Sequence, residues 1–88
     1  MNVPGEKEDP DQKYSRCFGE EVRWRREFVL RMTQEQLGKK EEIDRMSVLK
    51  IEAGKMSPTA YMQSRLARAL GVTVMELCAG ADRRCGEQ

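Results

Sequence analysis

Apolar residues recur along this chain at the three- and four-residue spacing of helices, and no stretch alternates with the period of two that a half-buried strand needs. Phe18, Val22, Phe28 and Val29 predict the inner side of a first helix over about 18–30, with Arg23, Arg25 and Arg26 mostly outside. A short second helix over about 34–40 buries Leu37, and a third over about 45–53 sets Val48 and Ile51 three apart on one face. A fourth, ending near Leu70, turns Met62, Leu66, Ala69 and Leu70 inward, and a short fifth turns in Val74, Leu77 and Cys78. Met32, Leu37, Val48, Ile51 and Leu66 are the expected core. The pattern is that of an all-α domain.

Polar residues punctuate these stretches. Thr33 with Gln36 three residues on has the form of a capping box, and Asp44 can cap the third helix. Gly54 falls where that helix must stop, and a left-handed residue costs least as glycine. Ser57-Pro58 reads as a cap followed by proline at the first helical position. Gly71 closes the fourth helix, and Thr73 with Glu76 opens the fifth with a second capping box. Residues 1–16 carry two prolines, a glycine and a charge run with little that is apolar. The expected organisation is therefore a disordered tail over 1–17, one domain over 18–78 and a second tail over 79–88.

Two short helices joined by a tight turn cannot bury a core alone, so they must lean on their neighbours. What stays exposed is the start of the third helix, with Arg45, Met46, Ser47 and Lys50. That is helix-turn-helix geometry, whose second helix enters the major groove of DNA. Charge neither supports nor opposes this in bulk. The 88 residues carry a net charge of only +1, and residues 18–77 hold 11 basic and 9 acidic groups. A polyanion-binding surface must then come from local sorting of charge.

Other chemistries find little footing. The sequence has no histidine, no C-x-x-C spacing and no phosphate loop, so neither a zinc site, a cofactor nor a nucleophile with its base is expected. No small-molecule ligand is evident. Of the three cysteines, Cys78 reads as a small core residue, while Cys17 and Cys85 read as exposed thiols at the domain margins. No apolar run approaches the roughly 20 residues of a membrane span, and nothing at the start signals secretion, which points to the cytosol. The six methionines read as gap-fillers. Trp24 is expected as a partly buried packing residue, and Lys39 and Lys40 as solvated.

TQEQL (33–37), Ile43 in the turn, KIEAGK (50–55), Pro58 and LARALGV (66–72), at these spacings, resemble the Cro/repressor-type helix-turn-helix family, often called XRE. The likeness covers about residues 18–77. It implies a five-helix, lambda-repressor-like, non-enzymatic DNA-binding domain. Such proteins are usually homodimers on pseudo-palindromic double-stranded operators, and they work as repressors or activators in the cytoplasm of bacteria or phage hosts. It implies that Thr33 and Gln34 meet a phosphate, that Arg45, Met46, Leu49 and Lys50 face bases, and that Lys55 touches phosphate. Arg45 is the candidate for a guanine edge. Met46 either touches thymine methyls or folds back onto the core, and Ser47 is mainly a small helix residue with phosphate or base contact as its second reading. It also implies that Glu52 pairs with an arginine of the first helix, Arg26 first and Arg25 second.

Four features depart from the family pattern. The spacing from Arg26 to Thr33 is one residue longer than usual, and the glycine usual before the capping residue is missing. Gly38 replaces a helix alanine, where it can let the second and third helices approach closely. Glu41-Glu42 replaces an apolar residue and a glycine in the turn, two negative charges that would oppose phosphates if they faced them. That acidic turn supports a second reading of the same fold, a protein-interaction module or antitoxin-like partner with weak DNA binding.

Overall fold

A computed structural model describes residues 8–86. Among them are five α-helices and no strand: α1 (Pro10–Trp24), α2 (Gln34–Lys40), α3 (Arg45–Glu52), α4 (Ala60–Leu70) and α5 (Val74–Gly86). The expected tails lie outside the described residues only over 1–7 and 87–88; positions 10–17 and 79–86 are helical, which corrects the boundaries expected at 17 and 79.

α1 starts eight residues before the expected position 18 because Asp9 and Pro10 form a complete start signal. The Asp9 carboxylate accepts the Asp11 N–H at 3.2 Å, and proline occupies the first turn. The buried face of α1 contains Ser15, Cys17, Phe18, Gly19, Glu21 and Val22. Beyond Trp24 the helix widens into one π-helical turn (Arg25–Val29), in which the Leu30 N–H reaches back five residues to the Arg25 carbonyl at 2.9 Å. A π turn holds more residues than an α turn, so it absorbs the extra residue between Arg26 and Thr33. It also swings Phe28 and Val29 into solvent, at 65% and 54% exposure, correcting their expected place on the inner side. Trp24, expected as partly buried, keeps 44% of its surface exposed.

α2 and α3 occupy the expected stretches, and Gly54 follows with φ +72°. Asp44 stands at the cap position of α3, but its side chain makes no capping bond. α4 begins later than Ser57-Pro58 suggested. Pro58 is buried, the chain stays extended through Thr59, and the Thr59 hydroxyl accepts the Met62 N–H at 3.1 Å. Gly71, at φ +76°, closes α4. α5 is not short: Gly80 and Ala81 are buried, and it packs along α1.

α1 is the central element, packed against both α3 and α5, while α4 rests on α2 and α5. Phe18, Val22, Leu37, Val48, Ile51, Leu66 and Leu77 are fully buried between them. Met32 packs at the edge of this core rather than within it. Cys17 and Cys85 are joined in a disulfide with their Cα atoms 5.8 Å apart, which corrects their reading as exposed thiols. Cys17 is wholly buried, and Cys78 keeps a free, half-buried thiol. Among the described residues no helix is long and apolar enough to cross a membrane, and no group of three His, Cys, Asp or Glu could hold a metal ion.

Candidate nucleic-acid interface

The turn between α2 and α3 shows how two short helices are locked at an angle. The Gly38 carbonyl accepts the Ile43 N–H at 2.7 Å, and a Cβ on Gly38 would stand 2.3 Å from the Ile43 carbonyl oxygen. The close approach that this glycine permits is to the turn rather than to α3, whose Val48 methyl lies at an ordinary 3.7 Å. Glu42 sits at φ +53°, the left-handed conformation that glycine adopts most easily. Glu41 bends toward α4, where its carboxylate accepts from Arg68 at 3.4 Å and its carbonyl from Arg65. Of the two turn glutamates only Glu42 is left exposed.

A second set of bonds fixes the ends of the motif to α1. Arg26 donates to both carboxylate oxygens of Glu52, from Nε at 2.6 Å and Nη2 at 2.9 Å, and its Nη1 donates to the Met32 carbonyl at 2.7 Å. Gln34 Nε2 donates to the same carboxylate at 3.1 Å. One buried glutamate at the end of α3 thus gathers α1, the loop before α2 and the first residue of α2. The hydrogen bond to Glu52 raises the Arg26 pKa above its ordinary value, against the opposite pull of burial. Arg25, the other candidate partner, turns instead to Glu21 at 2.7 Å.

Thr33 opens α2: its hydroxyl oxygen accepts the Gln36 N–H at 3.0 Å, and the Gln36 side chain accepts the Thr33 N–H at 2.9 Å. With that lone pair engaged, the exposed Thr33 O–H remains a donor. Arg45 borders a cleft of about 420 Å³ with Arg26, Thr33, Gln34 and Glu35. Leu49, half-buried, lines a neighbouring cleft of about 370 Å³ with Gln34, Glu52 and the Arg23–Glu27 pair. Met46 stands 55% exposed one turn before exposed Lys50, so it does not fold back onto the core. Ser47 is half-buried beside the core face. Lys55 is exposed just past α3, its backbone N–H closing on the Lys50 carbonyl at 2.9 Å.

Charge is sorted across the surface. Arg16, Arg23, Arg25, Arg26, Arg68 and Arg84 are all held in ion pairs. Among the described residues Lys13, Arg31, Lys39, Lys40, Arg45, Lys50, Lys55, Arg65 and Arg83 make none, and all but Lys13 and Arg65 are exposed. Sequence reasoning missed one member of this neighbourhood and one backbone feature just before α2. Glu35 places a negative charge in the Arg45 cleft, and its position one after Gln34 was the available signal. Arg31 holds a left-handed backbone, φ +56°, where the family glycine is absent.

A family model described as helix-turn-helix matches residues 22–77, which include α2, the turn, α3 and α4. No curated protein and no solved structure matches the chain.

Proposed function

The chain belongs to the helix-turn-helix family of the Cro/repressor (XRE) type, and from that premise we propose a sequence-specific transcriptional regulator, a phage-type repressor or operon controller, that reads an operator with α3. Arg45, Met46, Leu49 and Lys50 meet base edges in the major groove, with Ser47 at their margin. Thr33, Gln34 and Lys55 position the motif on phosphates. The observation that carries this reading is that Arg45, Lys50 and Lys55, on and just past α3, are exposed and in no ion pair, while Arg26 beside them is held by Glu52. The Glu41 charge is directed to Arg68, which lessens its opposition to a phosphate backbone.

One such motif covers too little DNA for tight binding, so the regulator acts as a homodimer on half-sites about one helical turn apart. Val72, Val74 and Met75 form the candidate interface; Met75 is 81% exposed at the start of α5. Selection of duplexes from a random pool, followed by titration over a range of salt, tests the whole reading. Arg45→Ala should cost about 1–3 kcal/mol and relax preference at one base position. Lys55→Ala should weaken all sequences alike and reduce the salt slope by about one charge. A uniform loss from Arg45→Ala, with sequence preference intact, removes it from the base-reading set. The exposed Trp24, Phe28 and Val29 favour the second reading, a protein-interaction module; failure to select any duplex would turn the argument to it.

A further inference from the structure

α1 is a beam clamped on two sides. On one side Gly19 lies against the end of α3, where a Cβ would stand 2.1 Å from the Ile51 carbonyl oxygen and 2.9 Å from that of Glu52. Two residues correspond to about 200° around a helix, so Cys17 is on the opposite side, joined to Cys85 of α5. The last turns of α5 also pack on α1 at Gly80, where a Cβ would stand 2.3 Å from the Glu21 side chain. Ala81 is buried, and Arg84 donates to Glu21 at 2.8 Å. The third thiol cannot take over this role: Cys78 lies seven residues before Cys85, about 10 Å along the helix, and its Sγ–H faces the Gln63 amide oxygen at 3.8 Å. Both disulfide partners fall outside the 22–77 stretch that matches the family, so this fastening is an addition to the family frame.

A protein that works on DNA inside a cell meets thiol-reducing conditions, where disulfides tend to be transient and redox-sensing rather than structural. We propose that Cys17–Cys85 is a thiol–disulfide clasp through which a dithiol reductant sets how firmly α1 is held between α5 and α3, and with it the affinity for DNA. The DNA half of this proposal rests on the regulator reading. One thiolate of the reductant attacks Cys85 Sγ, the half-buried partner, and Cys17 leaves as a thiolate that takes up a proton. The second thiolate of the reductant then attacks the mixed disulfide, freeing Cys85 as a thiol and leaving the reductant as its own disulfide. Two electrons and two protons pass to the protein. The seat of Gly19 on α3 has no slack, so loosening on the α5 side is felt at Glu52 and at the Arg26 and Gln34 bonds that it gathers.

The full chain is equilibrated with oxidised or with reduced dithiothreitol. Alkylation in denaturant followed by intact mass should find one reactive cysteine in the oxidised protein and three in the reduced; three in both overturns the clasp. Hydrogen exchange should speed at least tenfold over 80–86 on reduction and much less over 34–52, and equal exchange in the two states overturns it as well. Affinity for a selected duplex should fall at least threefold on reduction in the parent and in Cys78→Ser. Cys17→Ser and Cys85→Ser should match the reduced parent in either buffer. Unchanged affinity despite faster exchange overturns the control of DNA binding. If neither state binds any duplex, the regulator reading fails, while thiol count and exchange still judge the clasp.

Discussion

Two buried glutamates flank the first helix, and they are held in different ways. Glu52, from α3, is closed in by both nitrogens of the Arg26 fork and by Gln34, with almost none of the pair open to water. Glu21, from α1 itself, accepts from Arg25 at 2.7 Å and Arg84 at 2.8 Å, and those two arginines keep 18% and 30% of their side chains exposed. The first cluster is a sealed joint that fixes the helix-turn-helix. The second is an open joint beside a covalent bond. Energy follows from what is left behind when a partner is lost: a stranded buried charge at the first, a cation able to reach water at the second.

The largest expected effect tests that difference directly. Glu52→Ala strands the buried Arg26 guanidinium and should cost about 3–5 kcal/mol, well before any change in base preference. Glu21→Ala leaves Arg25 and Arg84 free to hydrate and should cost less, about 1.5–3 kcal/mol, the range for hydrogen bonds to charged groups. Thermal melts resolve the two, since 1 kcal/mol moves Tm by roughly 4–8 °C in a domain of this size. Equal losses would mean that the Glu21 joint is sealed as well, and the comparison collapses.

Next comes the covalent side. Cys17 and Cys85 are 68 positions apart, and while a disulfide typically contributes about 2–4 kcal/mol, a loop of that size places it at the upper end of that range. Cys85→Ser, melted without reductant, should show a loss in that range, and reductant should lower the parent to the same level. A parent melt indifferent to reductant would shift the burden of holding α5 onto Arg84 and Ala81.

The two sides also differ in how far they could be read from residues alone. The α2–α3 unit was legible because its signals are local: a capping box at Thr33 and Gln36, apolar Val48 and Ile51 on one face, glycine after the stop. These lie within a few residues of the elements they control. The α1–α5 side was not legible. Its contacts are made by Cys17, Gly80, Ala81 and Cys85, small residues that read as polar or loop-like in an apolar pattern yet allow two helices to come close. Helix starts show the same limit. Ser57 and Thr59 are both competent caps, and only the burial of Pro58 decides for Thr59. At the candidate site, the exposed side chains of α3 could be read from its face pattern. The bend of Glu41 toward Arg68 could not, since its partner is 27 residues away. Phe28 and Val29 were misplaced because a π turn shifts the face of everything after it, and periodicity assumes an unbroken helix.

A smaller effect probes that π turn. Two residues past its end, Arg31 holds φ +56°. A side chain there costs about 1–2 kcal/mol, and glycine loses roughly 0.5–1 kcal/mol more entropy on folding, so Arg31→Gly should stabilise by about 0–1.5 kcal/mol. A small rise in Tm with unchanged hydrogen exchange over 34–52 supports the strain. A fall would mean that the Arg31 side chain makes up for its backbone.

The smallest expected effect concerns the two ends of α5. Its last turns depend on the disulfide, its first turn on an exposed capping box. The Glu76 carboxylate accepts the Thr73 N–H at 3.0 Å and the Thr73 hydroxyl at 3.1 Å, while the Glu76 N–H donates to that hydroxyl at 3.0 Å. The bond from the Thr73 backbone N–H comes first among the influences that lower the Glu76 pKa, ahead of the Thr73 hydroxyl. A pKa depressed by folding means that the charged form is the one the folded state favours. The contribution is therefore fully present above the unfolded glutamate value and lost as the pH falls through the lower, folded one. Acid should thus loosen the start of α5 before its end, which the disulfide holds independently of protonation. Hydrogen exchange at 74–77, measured at descending pH and corrected for the intrinsic rate, should lose protection below the ordinary carboxylate range, while 80–86 in the oxidised protein keeps its own. Glu76→Gln should remove most of that pH dependence at 74–77 and leave the disulfide-held end unaltered. Simultaneous loss at both ends would make α5 one cooperative unit, and the difference between its two fastenings would no longer matter to how it opens.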